Sequence, residues 1–254
     1  MKIAVVTGAS SGIGKEFVLR ISNFYQSLDE IWVIARRRER LEKLASKSPI
    51  PLRIFAGDLT KKEGYREFYH ALKEEQPDIR ILVNAAGFGK SGTVEEIASE
   101  NRSLQNEMIE LNCAALTRMT QMCLPHMRGG ARIIQLASAA AFCPQPTFAV
   151  YAATKAYVLS FSRALGEELR PRGIYVTAVC PGPVDTEFFD ICGDLKGNLK
   201  ELFLTDVRSV VVRALKDSRK KRAVSVYGCA MKAARIGAKA VPHRLILAGG
   251  RMLS

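Results

Sequence analysis

Tyr151 and Lys155 stand four residues apart in Tyr151-Ala152-Ala153-Thr154-Lys155, inside a stretch that reads as a helix from Phe148 to Leu169. That spacing puts both side chains on one helix face, about 6 Å apart at Cβ. A phenol with an ordinary pKa of about 10 moves protons poorly at neutral pH, whereas a neighbouring ammonium favours the phenolate and brings the group toward a useful range. On its own a Tyr-x-x-x-Lys pair is commonly structural. Ser138 strengthens the catalytic reading because it follows the run Arg132 to Ala137, a strand whose carboxyl end is where open α/β sheets place their ligand crevice. A hydroxyl there can hold a carbonyl oxygen beside the tyrosine, although Ala137-Ser138-Ala139-Ala140 also suits a simple turn. Asn112 lies within a stretch expected to be helical from Ser99 to Met127, where an amide competes with backbone hydrogen bonds. An exposed or capped amide is the plain alternative.

A second group of residues suits a phosphate. Thr7-Gly8-Ala9-Ser10-Ser11-Gly12-Ile13-Gly14 closes the first strand and runs directly into a helix, so glycines turn tightly while backbone N–H groups at the helix's positive end face a pyrophosphate. An ordinary βα turn looks similar, but a place after the first strand of a βαβ series favours nucleotide binding. This stretch resembles the T-G-x-x-x-G-x-G signature of the short-chain dehydrogenase/reductase family, in its classical-type branch, and the resemblance spreads over residues 1 to about 190. Asn84-Ala85-Ala86-Gly87 is similar to that family's N-A-A-G, which braces the central sheet and passes near the adenosine ribose, Asp58-Leu59 to its adenine contact, and Pro181-Gly182-Pro183-Val184-Asp185-Thr186 to its P-G-x-x-x-T. Ser138 precedes the Tyr-x-x-x-Lys by the family interval, and Glu110-Leu111-Asn112 holds the family's asparagine.

The resemblance implies hydride transfer between a nicotinamide dinucleotide and a carbonyl compound, in which Ser138 orients the carbonyl oxygen and Tyr151 donates the proton. It further implies that Lys155 tunes Tyr151 and binds the nicotinamide ribose, while Asn112 holds a water linked to the lysine. The dinucleotide is then expected along Gly8, Ser10, Ser11, Gly12, Ile13 and Gly14 at the pyrophosphate and Asp58, Leu59, Asn84, Ala85, Ala86 and Gly87 at the adenosine. At the nicotinamide stand Tyr151, Lys155, Pro181, Gly182, Val184 and Thr186. Where NAD-binding relatives have an acidic residue after the second strand, this chain has Ala35-Arg36-Arg37-Arg38. A carboxylate would repel the 2′-phosphate of NADP, whereas a guanidinium binds it through paired, charge-assisted hydrogen bonds. The expected cofactor is therefore NADP(H), with Arg36 the first choice, Arg37 the second, and Arg38 and Arg40 a solvated helix start. A charge run without a ligand is the alternative.

These residues require a scaffold of alternating strands and helices. Apolar runs at Ile3 to Thr7, Ile31 to Ala35, Leu52 to Ala56, Ile81 to Asn84, Arg132 to Ala137, Tyr175 to Val179 and Ala223 to Val226 predict strands, mostly buried on both faces. Helices are predicted at Gly14 to Tyr25, Arg38 to Ser46, Lys61 to Glu75, Ser99 to Met127, Phe148 to Leu169 and Asp206 to Asp217. The pattern predicts an α/β fold, a Rossmann-type doubly wound parallel sheet of about seven strands with helices on both faces, in a single domain over residues 1–254. Residues 228–254 read as a basic extension, one helix followed by an irregular end.

With 254 residues and 48% hydrophobic composition the chain can bury a full core. Cys113, Cys123, Cys143, Cys180, Cys192 and Cys229 form no C-x-x-C pair, and His70, His126 and His243 are scattered, so neither a metal site nor a disulfide framework is indicated. Met1-Lys2 leads straight into an apolar strand and no apolar stretch reaches about 18 residues, which reads as a cytoplasmic protein. About two-thirds of the +13 net charge lies from Lys216 onward. That tail reads first as a helix packed on the body or on a partner subunit, second as a peripheral membrane patch, with nucleic acid not expected. Phe88-Gly89, Ala139 to Phe148 and Phe188 to Leu204 are expected to wall the substrate, with Phe142, Phe148, Phe188 and Phe189 favouring an apolar or amphipathic ketone or aldehyde. Reduction is the expected direction, and a homodimer or homotetramer paired through two long helices the expected assembly. A non-catalytic NADP(H)-binding sensor is the alternative function, although such a protein often lacks part of the Ser138, Tyr151 and Lys155 set.

Overall fold

The computed structural model describes residues 1–188 and 205–253. Its first half runs β1 (Lys2–Thr7), α1 (Gly12–Ile21), β2 (Glu30–Ala35), α2 (Arg38–Ala45), β3 (Leu52–Ala56), α3 (Arg66–Glu75) and β4 (Asp78–Asn84). There follow α4 (Val94–Glu100), α5 (Leu104–Ile109), α6 (Leu116–Cys123), β5 (Arg132–Leu136), α7 (Ala149–Leu169) and β6 (Tyr175–Val179). After the undescribed residues come α8 (Val207–Arg219), β7 (Val224–Ser225), α9 (Cys229–Ala240) and α10 (His243–Leu253). The strands form one seven-stranded parallel sheet in the order β3-β2-β1-β4-β5-β6-β7.

Alternate residues of each strand serve opposite faces, and both faces are covered. Ala4, Val6, Val33, Ile81, Val83 and Ile134 pack with Phe17, Val18 and Ile21 of α1 and Val210, Val211 and Leu215 of α8. Ile3, Val5, Trp32, Leu82 and Ile133 pack instead with Phe68 and Leu72 of α3, Met119 and Cys123 of α6 and Leu165 of α7. Two-sided burial is the reason these strands read as unbroken apolar runs. Each fully buried large side chain contributes about 1.5–3 kcal/mol, and α1 and α8 clamp the sheet centre from one side. Because β1 pairs with β2 on one flank and β4 on the other, the strand order reverses there and a crevice opens beyond the strands' carboxyl ends.

Two expectations fail locally. The stretch from Ser99 to Met127 is not one helix: α4 ends at Asn101, whose backbone is extended, and α5 passes into α6 through a π-helical turn, Glu110–Ala115, that contains Asn112. A π turn widens the helix at one place, and such bulges concentrate where side chains are positioned for function. The tail is not irregular after one helix either, since α10 follows α9. Val241, extended before Pro242, ends the first helix, and the Pro242 carbonyl then accepts the N–H of Leu245 to begin the second. Among the described residues no helix is long and apolar enough to cross a membrane, and no cluster of potential ligands could hold a metal ion. Phe189, Cys192 and the rest of the expected substrate wall to Leu204 lie outside the described residues.

Candidate active site

A cleft of about 760 Å³ runs along the carboxyl edge of the sheet. At one end β1 passes into α1 through Gly8, whose φ of +69° favours glycine and where a Cβ would stand 2.7 Å from the Ala86 nitrogen. Ser11 caps α1 with an extended backbone but no side-chain hydrogen bond to the helix's own N–H groups, and no acidic residue occupies the first turn, so those N–H groups are left for an anion. Thr7 Oγ1 accepts the N–H groups of Ala85 and Ala86, both at 3.1 Å, which pins the Asn84–Gly87 segment against the glycine turn. Gly8, Ser10, Ser11, Gly12, Ile13, Gly14, Arg36, Arg37, Asp58, Leu59, Ala85, Ala86 and Gly87 all line this end or the middle of the cleft.

Asn84 is set apart from them. Its side chain is buried behind the wall, donating at 2.9 Å to Gln135 Oε1 and 3.1 Å to Thr120 Oγ1, a network that ties β4, β5 and α6 together. Its position in the cofactor set is therefore met by the sheet's own polar centre and not by a side chain facing the cleft. Asp58 spends Oδ1 on the N–H and hydroxyl of Thr60, at 2.9 and 2.8 Å, which shapes the turn after β3.

At the other end stand Ser138, Tyr151 and Lys155. Ser138 Oγ accepts the Ala140 N–H at 3.1 Å to cap a short 3-10 turn, which leaves its own proton to donate. Tyr151 lies in the first turn of α7, stacked on Phe148 with centroids 4.3 Å apart and tilted against Phe188 at 5.5 Å. Lys155 Nζ sits 5.6 Å from the centre of the Tyr151 ring and donates to the Leu136 carbonyl at 2.8 Å. Lys155 is 6% exposed, and burial pulls its pKa down to about 8. No carboxylate pairs with it among the described residues.

Asn112 does not line the cleft but stands one layer behind Gly87. Its Oδ1 accepts the Phe88 N–H at 3.0 Å, and its Nδ2 donates to the Phe88 carbonyl at 2.9 Å and to Thr154 Oγ1 at 3.0 Å. Thr154 Oγ1 donates in turn to the Tyr151 carbonyl at 2.7 Å, so the π turn fixes the helix that bears Tyr151 and Lys155. A Cβ on Gly87 would meet Asn112 Oδ1 at 2.7 Å and Lys155 Nζ at 3.4 Å, so the missing side chain keeps a gap between amide and ammonium.

The family model described as short chain dehydrogenase matches residues 2–192. The chain belongs to the short-chain dehydrogenase family, and it is an oxidoreductase of that family. An uncharacterized oxidoreductase of Staphylococcus epidermidis is 34% identical over 216 residues, covering 84% of this chain and 90% of that relative. The 17-beta-hydroxysteroid dehydrogenase type 3 of Mus musculus is 32% identical over 72% of this chain and 60% of its own length. A short-chain dehydrogenase from Sphingobium yanoikuyae in complex with NADPH is similar in structure, with a TM-score of 0.78 at 29% identity over 94% of each chain.

Within this family member the remaining segments take definite places. Pro181, Gly182, Val184 and Thr186 form one lip of the cleft, and Thr186 comes within 3.3 Å of a Cβ built on Gly12 across it. Arg38 pairs with Glu42 at the surface, as a solvated helix start should. Arg40 departs from that expectation, because it pairs with Glu187, as Arg37 does at 3.0 Å. Met231, Ala234 and Ala238 of α9 also line the cleft, and Met231 packs on Gly182. These three are not among the cleft residues expected from sequence, although the apolar side of the tail helix is an available signal. Thr7 and Thr154 lie inside recognised motifs, yet their bracing roles are likewise not expected from sequence.

Proposed function

We propose that the protein is an NADP(H)-dependent enzyme that interconverts a carbonyl compound and an alcohol, working in the reductive direction. The observation behind this reading is Lys155: a buried ammonium without a carboxylate partner among the described residues, set over the Tyr151 ring at the end of the cleft that Ser138 also lines. The glycine turn and uncapped start of α1 fit a pyrophosphate. A nicotinamide bound along this cleft supplies the hydride.

The chain's own groups manage the oxygen and its proton. Ser138 donates its O–H to the carbonyl oxygen and orients it, and Tyr151 transfers its phenolic proton to the same oxygen as the alcohol forms. Lys155 stabilises the phenolate left behind and holds the nicotinamide ribose; its pKa of about 8 allows it to pass on a proton near the working pH. Asn112 Oδ1, with one lone pair spent on Phe88, holds a water in the gap beside Gly87 through which the proton is replaced.

Arg36 and Arg37 line the opposite end and recognise the 2′-phosphate, a reading supported by the NADPH complex of the Sphingobium relative. Phe142, Phe148, Phe188 and Met231 offer an apolar wall, and together with the hydroxysteroid dehydrogenase relative they support a bulky apolar or amphipathic ketone as substrate. The same reading has the whole chain act as one cytoplasmic catalytic domain in a homo-oligomer paired through the α6 and α7 faces, where exposed Tyr157 stacks on Phe161. NADPH oxidation measured across a panel of ketones and aldehydes tests the activity, with Tyr151→Phe as control. The variant should lose about 10²- to 10⁴-fold in kcat/KM. Turnover within about tenfold of wild type overturns the Tyr151 assignment, and a preference for NADH overturns the cofactor.

A further inference from the structure

Among the described residues, Glu187 is the carboxylate that reaches both Arg37 and Arg40 after β2. Its two oxygens are divided between Arg37, at 3.0 Å, and Arg40. The same Arg37 donates to Ser11 Oγ at 2.8 Å and Ser10 Oγ at 3.2 Å, so a guanidinium, two hydroxyls and a carboxylate meet at the mouth of the glycine turn. Both Arg37 and Glu187 line the cleft. Glu187 comes from the opposite lip, directly after Thr186, and its chain neighbour Phe188 lies against the Tyr151 ring. The two arginines hold its carboxyl below the usual carboxylate range, so it is charged throughout neutral pH.

A carboxylate and a phosphate ask the same of arginine, namely two oxygens placed to accept paired N–H groups. Two anions cannot share that seat without strong repulsion. We propose that Glu187 is an internal stand-in for the 2′-phosphate of the cofactor, which must displace it from Arg37 and Arg40 to bind. This inference rests on the NADP(H) reading and adds to it a residue that sets how strongly the 2′-phosphate is preferred. A dinucleotide without the 2′-phosphate leaves Glu187 on its arginines; one with it exchanges one anion for another and frees the lip that adjoins Phe188. The pair is about 40% exposed on each side, so water screens the contact and the exchange is easy enough for binding to drive it.

Titration calorimetry with 2′,5′-ADP and with 5′-AMP, on the full chain and on Glu187→Gln, separates the two readings. The substitution removes the charge at an exposed position and keeps the side chain's shape, and Glu187→Ala serves as a second variant. For wild type, tighter binding of 2′,5′-ADP than of 5′-AMP supports the cofactor reading. For both variants the Kd for 2′,5′-ADP should fall about three- to tenfold, as expected for removal of a half-exposed competing charge, while that for 5′-AMP stays within about twofold. A Kd for 2′,5′-ADP that is unchanged or raised, or an equal shift for both ligands, overturns the role given to Glu187 and leaves the cofactor reading standing. Failure of wild type and variants alike to distinguish the two ligands overturns both.

Discussion

Asp217 and Lys155 are both buried, 2% and 6% exposed, and their surroundings are opposite. Asp217 receives Arg213 at 2.8 Å, Arg222 at 3.1 Å and the Ser225 hydroxyl at 2.9 Å, so its charge is cancelled and α8 is tied to β7. Lys155 has the Leu136 carbonyl and the face of an aromatic ring, and no carboxylate among the described residues. Burying an ion costs several kcal/mol unless it is paired and hydrogen-bonded. A buried charge that is fully answered therefore marks architecture, and one left partly unanswered marks a place where the fold gives up stability for chemistry.

The largest expected effect is on activity. Lys155→Met should lower kcat/KM by about 10²- to 10⁴-fold, because the phenolate loses its neighbour, while the melting temperature holds or rises because an incompletely paired ion has gone. A loss of more than about 4 °C, equivalent to roughly 2 kcal/mol in a chain of this size, would break the comparison. Asp217→Asn should do the reverse. Urea unfolding should show a loss of about 3 kcal/mol, the low end for a broken buried pair because both arginines are partly exposed and recover water, with kcat per folded molecule unchanged.

The pH dependence of stability sharpens the contrast. Lys155 has its pKa lowered to about 8 from an ordinary 10.5, so between these values the unfolded chain binds a proton that the folded chain has shed. The folded state without cofactor should gain stability as pH rises through that window, by up to about 3 kcal/mol, against a Lys155→Met baseline that lacks the gain. Parallel unfolding midpoints for the two proteins from pH 7 to 10.5 would contradict the buried, protonatable lysine. The smallest effect concerns a charge at the surface. No carboxylate pairs with Arg36 among the described residues although it lines the cleft, and Arg36→Ala should cost about tenfold in kcat/KM with NADPH and little with NADH, as removal of one charge-assisted contact predicts.

Much of this was legible in the chain before folding. Most of the seven strands could be read because burial on both faces leaves the central ones largely apolar runs, and Tyr151 with Lys155 because helical periodicity turns a spacing of four into a shared face. The second tail helix is less legible, because its start signal is Pro242, a residue that more often stops a helix but whose missing N–H costs nothing at a helix start. The π turn at Asn112 has no local sequence signature; it is held by hydrogen bonds to Phe88 and Thr154, on two other segments.

The types of chemistry available are set along the chain, because a glycine turn, a Tyr-Lys face and an arginine run act through local backbone geometry and side-chain identity. Which charges are answered depends on the folded molecule. Lys155 is left with a carbonyl, Asp217 gains two arginines, and Arg37 meets Glu187 from 150 residues away. Desolvation and Coulomb attraction depend on distance in space and on burial, and neither is written in the spacing of residues along a chain.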